Sequence, residues 1–150
     1  MGLDICGWIE ITYASDGEAQ DDTMWMSVVC LEPLVDGPDE FSEAVFGFSK
    51  RAVVKPEDFK PIASGRGIPS ACSHGVRDDI ARIRDRERQY GPGEFGGFTF
   101  ASYAELLRIN WDSMTVRPHE SEWATVFRVL EALGSRFDHE KIRIVTWWVW

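Results

Sequence analysis

Hydrophobic and polar residues alternate strictly from Leu3 to Tyr13. Leu3, Ile5, Gly7, Ile9, Ile11 and Tyr13 fall on one side, and Asp4, Cys6, Trp8, Glu10 and Thr12 on the other. A period of two sends successive side chains to opposite faces of an extended chain, so the segment predicts a half-buried strand. A polar stretch with Ser15-Asp16-Gly17 follows, and Met24 to Leu31 reads as a second strand, its hairpin partner across a long loop. Behind Asp39, a natural N-cap, Phe41, Val45 and Phe48 recur at helical spacing.

Residues 50–69 are irregular, broken by Pro56, Pro61, Gly65, Gly67 and Pro69. Ser73 then caps a second helix with the stripe Val76, Ile80 and Ile83, which Tyr90-Gly91-Pro92-Gly93 ends. A third helix starts at Ser102, where Ser102 and Glu105 have capping-box spacing, and is expected to bury Tyr103, Leu106 and Leu107. The fourth carries Trp123, Val126, Phe127, Leu130 and Leu133 on one face, with Pro118 opening the segment and Gly134 closing it. The chain then runs as KIRIVTWWVW, apolar on both faces, which predicts a central strand covered on both sides. The expected fold is a single α+β domain over residues 1–150, with a mixed sheet, about four helices and a central C-terminal strand.

Charge changes the picture more than composition does. Residues 1–49 contain no Lys or Arg and carry −11, whereas residues 50–150 carry +2, for a net charge of −9. An acidic face attracts basic proteins or cations and repels nucleic-acid phosphate, so no direct nucleic-acid binding is expected. Asp16, Glu18, Asp21, Asp22, Asp36, Asp39, Glu40 and Glu43 are the candidate partner-binding residues. The plainer reading is a solubilising surface. No apolar run is long enough to span a bilayer, and the acidic N-terminus is unlike a signal peptide. Position 6 is Cys6, where a myristoylation signal has Ser or Thr. Three widely spaced cysteines fit reduced thiols in a cytoplasmic protein, and Cys72, in a Gly/Ser-rich segment, is expected to be the most exposed.

Four further constellations bear on chemistry. Gly65-Arg66-Gly67 precedes the Ser73 helix start, and exposed backbone N–H groups with a guanidinium are the parts of an anion site. Arg66, Gly67, Ser73 and Arg77 are its candidates, for a small phosphorylated ligand. The alternative is a tight loop that Arg66 ties to an acidic neighbour. Arg77, Arg84 and Arg88 share one side of the following helix, but Asp78, Asp79, Asp85 and Glu87 interleave with them, as in a self-paired face. Trp147, Trp148 and Trp150 read as core, and Trp8 and Trp25 as candidate exposed anchors. His74, His119 and His139 are far apart and no paired-cysteine spacing occurs, so no metal, cofactor or catalytic residue is assigned.

The opening Asp4-Ile5-Cys6-Gly7-Trp8-Ile9-Glu10, the Phe46-Gly47-Phe48 segment, Arg66-Gly67-Ile68-Pro69 with Ser73, and the aromatic strand Ile142–Trp150 occur together. In these features the chain resembles a group of small phage- and prophage-associated proteins of uncharacterised activity. Many members have histidine where this chain has Cys6. The resemblance implies a phage context, and hence the host bacterial cytosol. The expected function is therefore non-enzymatic: a phage-type accessory or anti-defence protein presenting an acidic surface to a basic host protein. A pocket that binds or hydrolyses a small phosphorylated ligand near Arg66 and Ser73 is the second reading. A structural, homo-oligomer-forming module is the third.

Overall fold

The computed structural model describes residues 2–14, 21–48, 60–114 and 116–150. Strand β1 (Asp4–Thr12) pairs with β2 (Trp25–Cys30) on one side and with β4 (Ile142–Val149) on the other, and β3 (Phe95–Ser102) pairs with β4. The spatial order is β2-β1-β4-β3, so the last strand is central, as its apolar run predicts. Every pair is antiparallel, and the expected mixed sheet is corrected. A parallel neighbour requires a crossover connection, classically one helix. Here β1 and β2 form a hairpin, and two helices, α3 (Tyr103–Arg108) and α4 (Ala124–Gly134), lie between β3 and β4.

Both faces of the sheet are covered. Leu3, Ile5, Ile9 and Ile11 of β1 and Ile142 and Ile144 of β4 pack under α1 (Glu40–Phe46), α3 and α4. Cys6, Val145 and Trp147 on the reverse face pack under Val76, Ile80 and Ile83 of α2 (His74–Tyr90). The arrangement is a single-domain α+β fold with helices on both faces of one sheet. Because α2 covers the polar side of β1, that strand is buried on both faces rather than half-buried: Glu10 and Thr12 are as inaccessible as Ile9 and Ile11.

Local chemistry fixes the helix starts. Asp39 accepts from the Ser42 N–H while the Ser42 hydroxyl accepts from the Asp39 N–H, a complete capping box at α1. Ser102 and Glu105 form the same reciprocal pair at α3. Helix α4 buries Val126, Phe127 and Leu130, with Trp123 at its N-cap position and Leu133 only partly covered. Phe41 of α1 is the hub of this side, its ring centroid 5.3 Å from both Trp123 and Phe127 and 5.5 Å from Trp111. Leu107 is 48% exposed, because α3 turns only Tyr103, Ala104 and Leu106 inward, and its expected burial is corrected.

Strand β3 has no counterpart in the periodicity, since its first half reads Phe95-Gly96-Gly97. These glycines make room for an indole. A Cβ on Gly96 would lie 2.4 Å from the Trp148 ring and one on Gly97 2.5 Å from it, and Gly97 has φ +68°. The ladder shifts register there, between Gly96 and Thr99.

Phe127→Ala is expected to cost about 3–5 kcal/mol, as for a large-to-small change in a core, whereas Leu107→Ala should stay within about 0.5 kcal/mol. Urea unfolding of both variants checks the assignment, and equal losses would contradict it.

Candidate functional site

Among the described residues, one deeply buried charge pair joins the sheet to α2. Glu10 lies directly opposite Arg143 in the β1–β4 ladder, and Arg143 Nε donates to Glu10 Oε1 at 2.7 Å. The other carboxylate oxygen accepts from the Ser73 N–H at 2.5 Å, and the Arg143 fork also reaches the Ala71 carbonyl. The guanidinium carbon sits 3.4 Å from the Trp25 ring centroid. Burial lowers the Arg143 pKa, and the Glu10 charge opposes that shift. A hydroxyl pair completes the contact: Ser27 donates to Ser73 Oγ at 2.7 Å and accepts from the Gly75 N–H at 2.9 Å. Ser73 is the N-cap residue, but its side chain makes no capping bond, so the expected cap is corrected: β2 takes the hydroxyl. Gly75 admits this close approach, because a Cβ there would lie 2.7 Å from Ser27 Oγ and 2.8 Å from Trp8.

The anion-site candidates are not brought together. Arg66 donates to the Ile62 and Phe100 carbonyls and pairs with Glu105 at 2.8 Å, tying its loop to α3. The Gly67 N–H is bonded to the Phe98 carbonyl. The Ser73 N–H already has a carboxylate, Glu10. Arg77 faces Asp22 at 3.6 Å and, with Arg84, Ile80 and Pro69, lines a cleft of about 280 Å³. Elsewhere on α2, Arg82 pairs with Asp79, Arg88 with Asp85, and Arg86 with Glu94, a largely self-paired surface.

The fold also distributes the acidic candidates. Asp16 and Glu18 lie outside the described residues. Asp21 caps the turn at Thr23, whose N–H and hydroxyl hold its pKa below the ordinary value. Asp22 accepts from the Cys72 N–H and faces Arg77, on the α2 side. Asp39 belongs to the opposite side, where its second oxygen accepts from the Glu122 N–H at 3.0 Å. Asp36 and Glu40 are exposed and Glu43 is half-buried. What assembles is a mixed cleft of about 360 Å³ at Asp39 and Glu40, joined by Glu120 and Glu122 over Phe41 and Val116. Its one cation, Arg117, pairs with Asp112 at 3.3 Å and donates to the Trp111 carbonyl. Glu120 and Glu122 lie 80 and 82 residues from Glu40, in the basic part of the chain, and no local pattern in the sequence links them to it.

Tryptophans and thiols occupy other places than expected. Trp25 is buried beneath Arg143, and the half-buried Trp8 donates its indole N–H to Asp79 at 2.7 Å, so neither is an exposed anchor. Trp147 is core, whereas Trp150 is 60% exposed. Cys72 is buried rather than most exposed, because its N–H anchors Asp22 and its side chain joins the α2 cluster. Cys30 is the more accessible thiol, and it donates to Glu32 at 3.0 Å. Burial and that carboxylate push its pKa up to about 11, and burial raises Cys6 and Cys72 as well.

Comparison with protein-family models, curated proteins and solved structures found no match to this chain. Among the described residues, no group of three His, Cys, Asp or Glu side chains is placed to share a metal ion. No helix among them is long and apolar enough to cross a membrane.

Two outcomes follow from this geometry. Removing one member of a buried ion pair strands the other, so Glu10→Gln and Arg143→Met should each cost about 3–5 kcal/mol. The double variant should cost less than their sum, and strict additivity in a denaturation cycle would mean that the two charges are not coupled. A thiol with a pKa near 11 is about 0.1% thiolate at pH 8, since the thiolate is the nucleophile. Iodoacetamide should therefore label Cys30 slowly in the native protein, with the rate rising about tenfold per pH unit up to pH 10. Labelling at pH 8 as fast as in urea would contradict this.

Proposed function

We propose that the protein is a non-enzymatic binding module that docks a basic protein through its carboxylates, with the Asp39–Glu122 cleft as the contact. One observation carries this reading. Glu40, Glu120 and Glu122 line a single cleft and form no ion pair with any described residue, and Phe41 and Val116 are among its walls. A lysine or arginine head fits such a place, because it meets carboxylates from two segments of the chain, while Phe41 and Val116 form the buried floor beneath them. The same negative potential disfavours nucleic-acid phosphate and speeds encounter with a basic surface. A phage-type accessory or anti-defence role, with a basic host protein as partner, is the biological form of this reading, and the sequence resemblance supports it.

The second reading, a small phosphorylated ligand, has one observation in its favour. Arg84 pairs with no described residue and stands beside Arg77 in the 280 Å³ cleft. Asp22 in the same wall and the engagement of Arg66 with Glu105 weigh against it.

The test is capture of a basic protein from bacterial lysate by wild type and by Glu40→Lys/Glu120→Lys/Glu122→Lys. Exposed pairs contribute about 0.2–1 kcal/mol each and are screened over about 8 Å at physiological salt. The triple variant should bind the captured protein at least about tenfold more weakly, and 0.5 M salt should act in the same direction. Capture unaffected by both would refute the cleft. A nucleotide that raises the melting temperature of wild type but not of Arg84→Ala would favour the second reading instead.

A further inference from the structure

We propose that β2 is a docking edge, to which an extended segment of a basic partner adds as a fifth strand. The inference rests on the reading of a basic partner and names the backbone that would receive it. Among the described residues, strand β2 is the outermost strand of the sheet and is paired with β1 alone. Alternate residues of an edge strand direct their N–H and C=O groups away from the sheet, and no described residue takes those of Met26–Cys30. The opposite edge is treated differently. There the Gly67 N–H bonds to the Phe98 carbonyl, and Thr99 Oγ1 donates to the Ala63 carbonyl, so the loop around Arg66 closes β3.

The composition of the open edge fits a partner strand. Soluble proteins usually blunt an exposed edge with lysine, other charges or proline. Trp25-Met26-Ser27-Val28-Val29-Cys30 has none of these, and Met26 and Val28 are 47% and 39% exposed. The ladder does carry one bulge beside Val28, where Glu10 pairs with Ser27 and Ile9 with Val29. A bulge twists the edge and disfavours flat stacking of many copies, while a short added strand still finds unpaired N–H and C=O groups on either side of it.

Charge chooses the occupant. Asp21 precedes β2, beside Asp22, which already faces Arg77; Glu32 and Asp36 follow it, and residues 21–36 contain no Lys or Arg. Antiparallel pairing of β2 with β2 of a second copy would bring the Asp21–Asp22 end of each onto the Glu32 end of the other, between chains of net charge −9. An extended segment flanked by lysine or arginine instead meets opposite charge at both ends. Main-chain bonds would supply affinity, and the acidic flanks would set register.

The probe is a fluorescent nonapeptide with two lysines at each end of an alternating Thr/Val centre. Wild type should bind it, and amide exchange at Met26–Cys30 should slow at least tenfold on binding. N-methylation of alternate peptide nitrogens, glutamates in place of the lysines, or Val28→Pro should each weaken binding tenfold or more. Met26→Lys/Val28→Lys alters only exposed side chains and should do the same, which guards against misfolding of the proline variant. No binding to wild type, binding indifferent to N-methylation, or protection elsewhere than β2 overturns the proposal. So does a concentration-dependent dimer that the lysine variant abolishes, because the occupant is then a second copy. If Met26→Lys/Val28→Lys still captures the basic protein that the Glu40/Glu120/Glu122 variant loses, the edge proposal fails and the cleft stands. Loss in the edge variant alone assigns docking to β2 and not to the cleft.

Discussion

A carboxylate taken wholly out of water has to be compensated, and in this fold one ion pair does so while touching every strand. Glu10 is on β1 and Arg143 on β4, the Trp25 ring of β2 lies on the guanidinium, and Phe100 of β3 has its centroid 5.9 Å from it. Ala71 and Ser73 bring in the loop that starts α2. Burying two charges costs several kcal/mol per ion before their attraction is counted, and an apolar pair of similar volume is often as stable. What the pair adds is register. Glu10 and Arg143 are direct cross-strand partners, and a one-residue slip of either strand would send one charge to the opposite, predominantly apolar face.

That contact was illegible in the sequence for a definite reason. The alternation in Leu3–Tyr13 gives the strand and its two faces, but cannot say whether the polar face meets water or a helix. The N-cap at Asp39, the capping box at Ser102 and the Trp123–Leu130 stripe were legible because each is local, set by residues three or four apart. Ser73 has the same residue type at the same position and does not cap, because Ser27, 46 residues away, competes for its hydroxyl. Strand β3 escaped because its glycines answer to Trp148, which is far along the chain but is the direct cross-strand partner of Gly96 on β4. Long-range shape decided it, and propensity did not.

Among the described residues, the acids of the N-terminal third do not gather on one side of the sheet. Asp22 and Asp39, both in the acidic third, are drawn to different sides of the sheet, where each accepts backbone hydrogen bonds. Their carboxylates act as structural acceptors more than as a display. The open acidic cleft instead combines Glu40 with two glutamates from the basic part, so its sign comes from folding. Counting charges by segment points to Asp39 and Glu40 but cannot bring Glu120 and Glu122 beside them.

The two edges of the sheet show how backbone groups constrain the same molecule. Unpaired edge groups are an association hazard, and at β3 the Gly67 N–H and the Arg66 guanidinium reduce it by taking the Phe98 and Phe100 carbonyls. At β2 the inner side is fastened instead. Ser27 is held by Ser73 and Gly75, and Trp25 is clamped beneath Arg143, so the strand is ordered before anything reaches its outer side. Order of that kind lowers the entropic cost of adding a strand, since only the incoming segment has to be fixed. The buried pair that sets the register of the sheet thus also stiffens its open edge, and a loss of Glu10 would be felt at β2 without any change to the residues that line it.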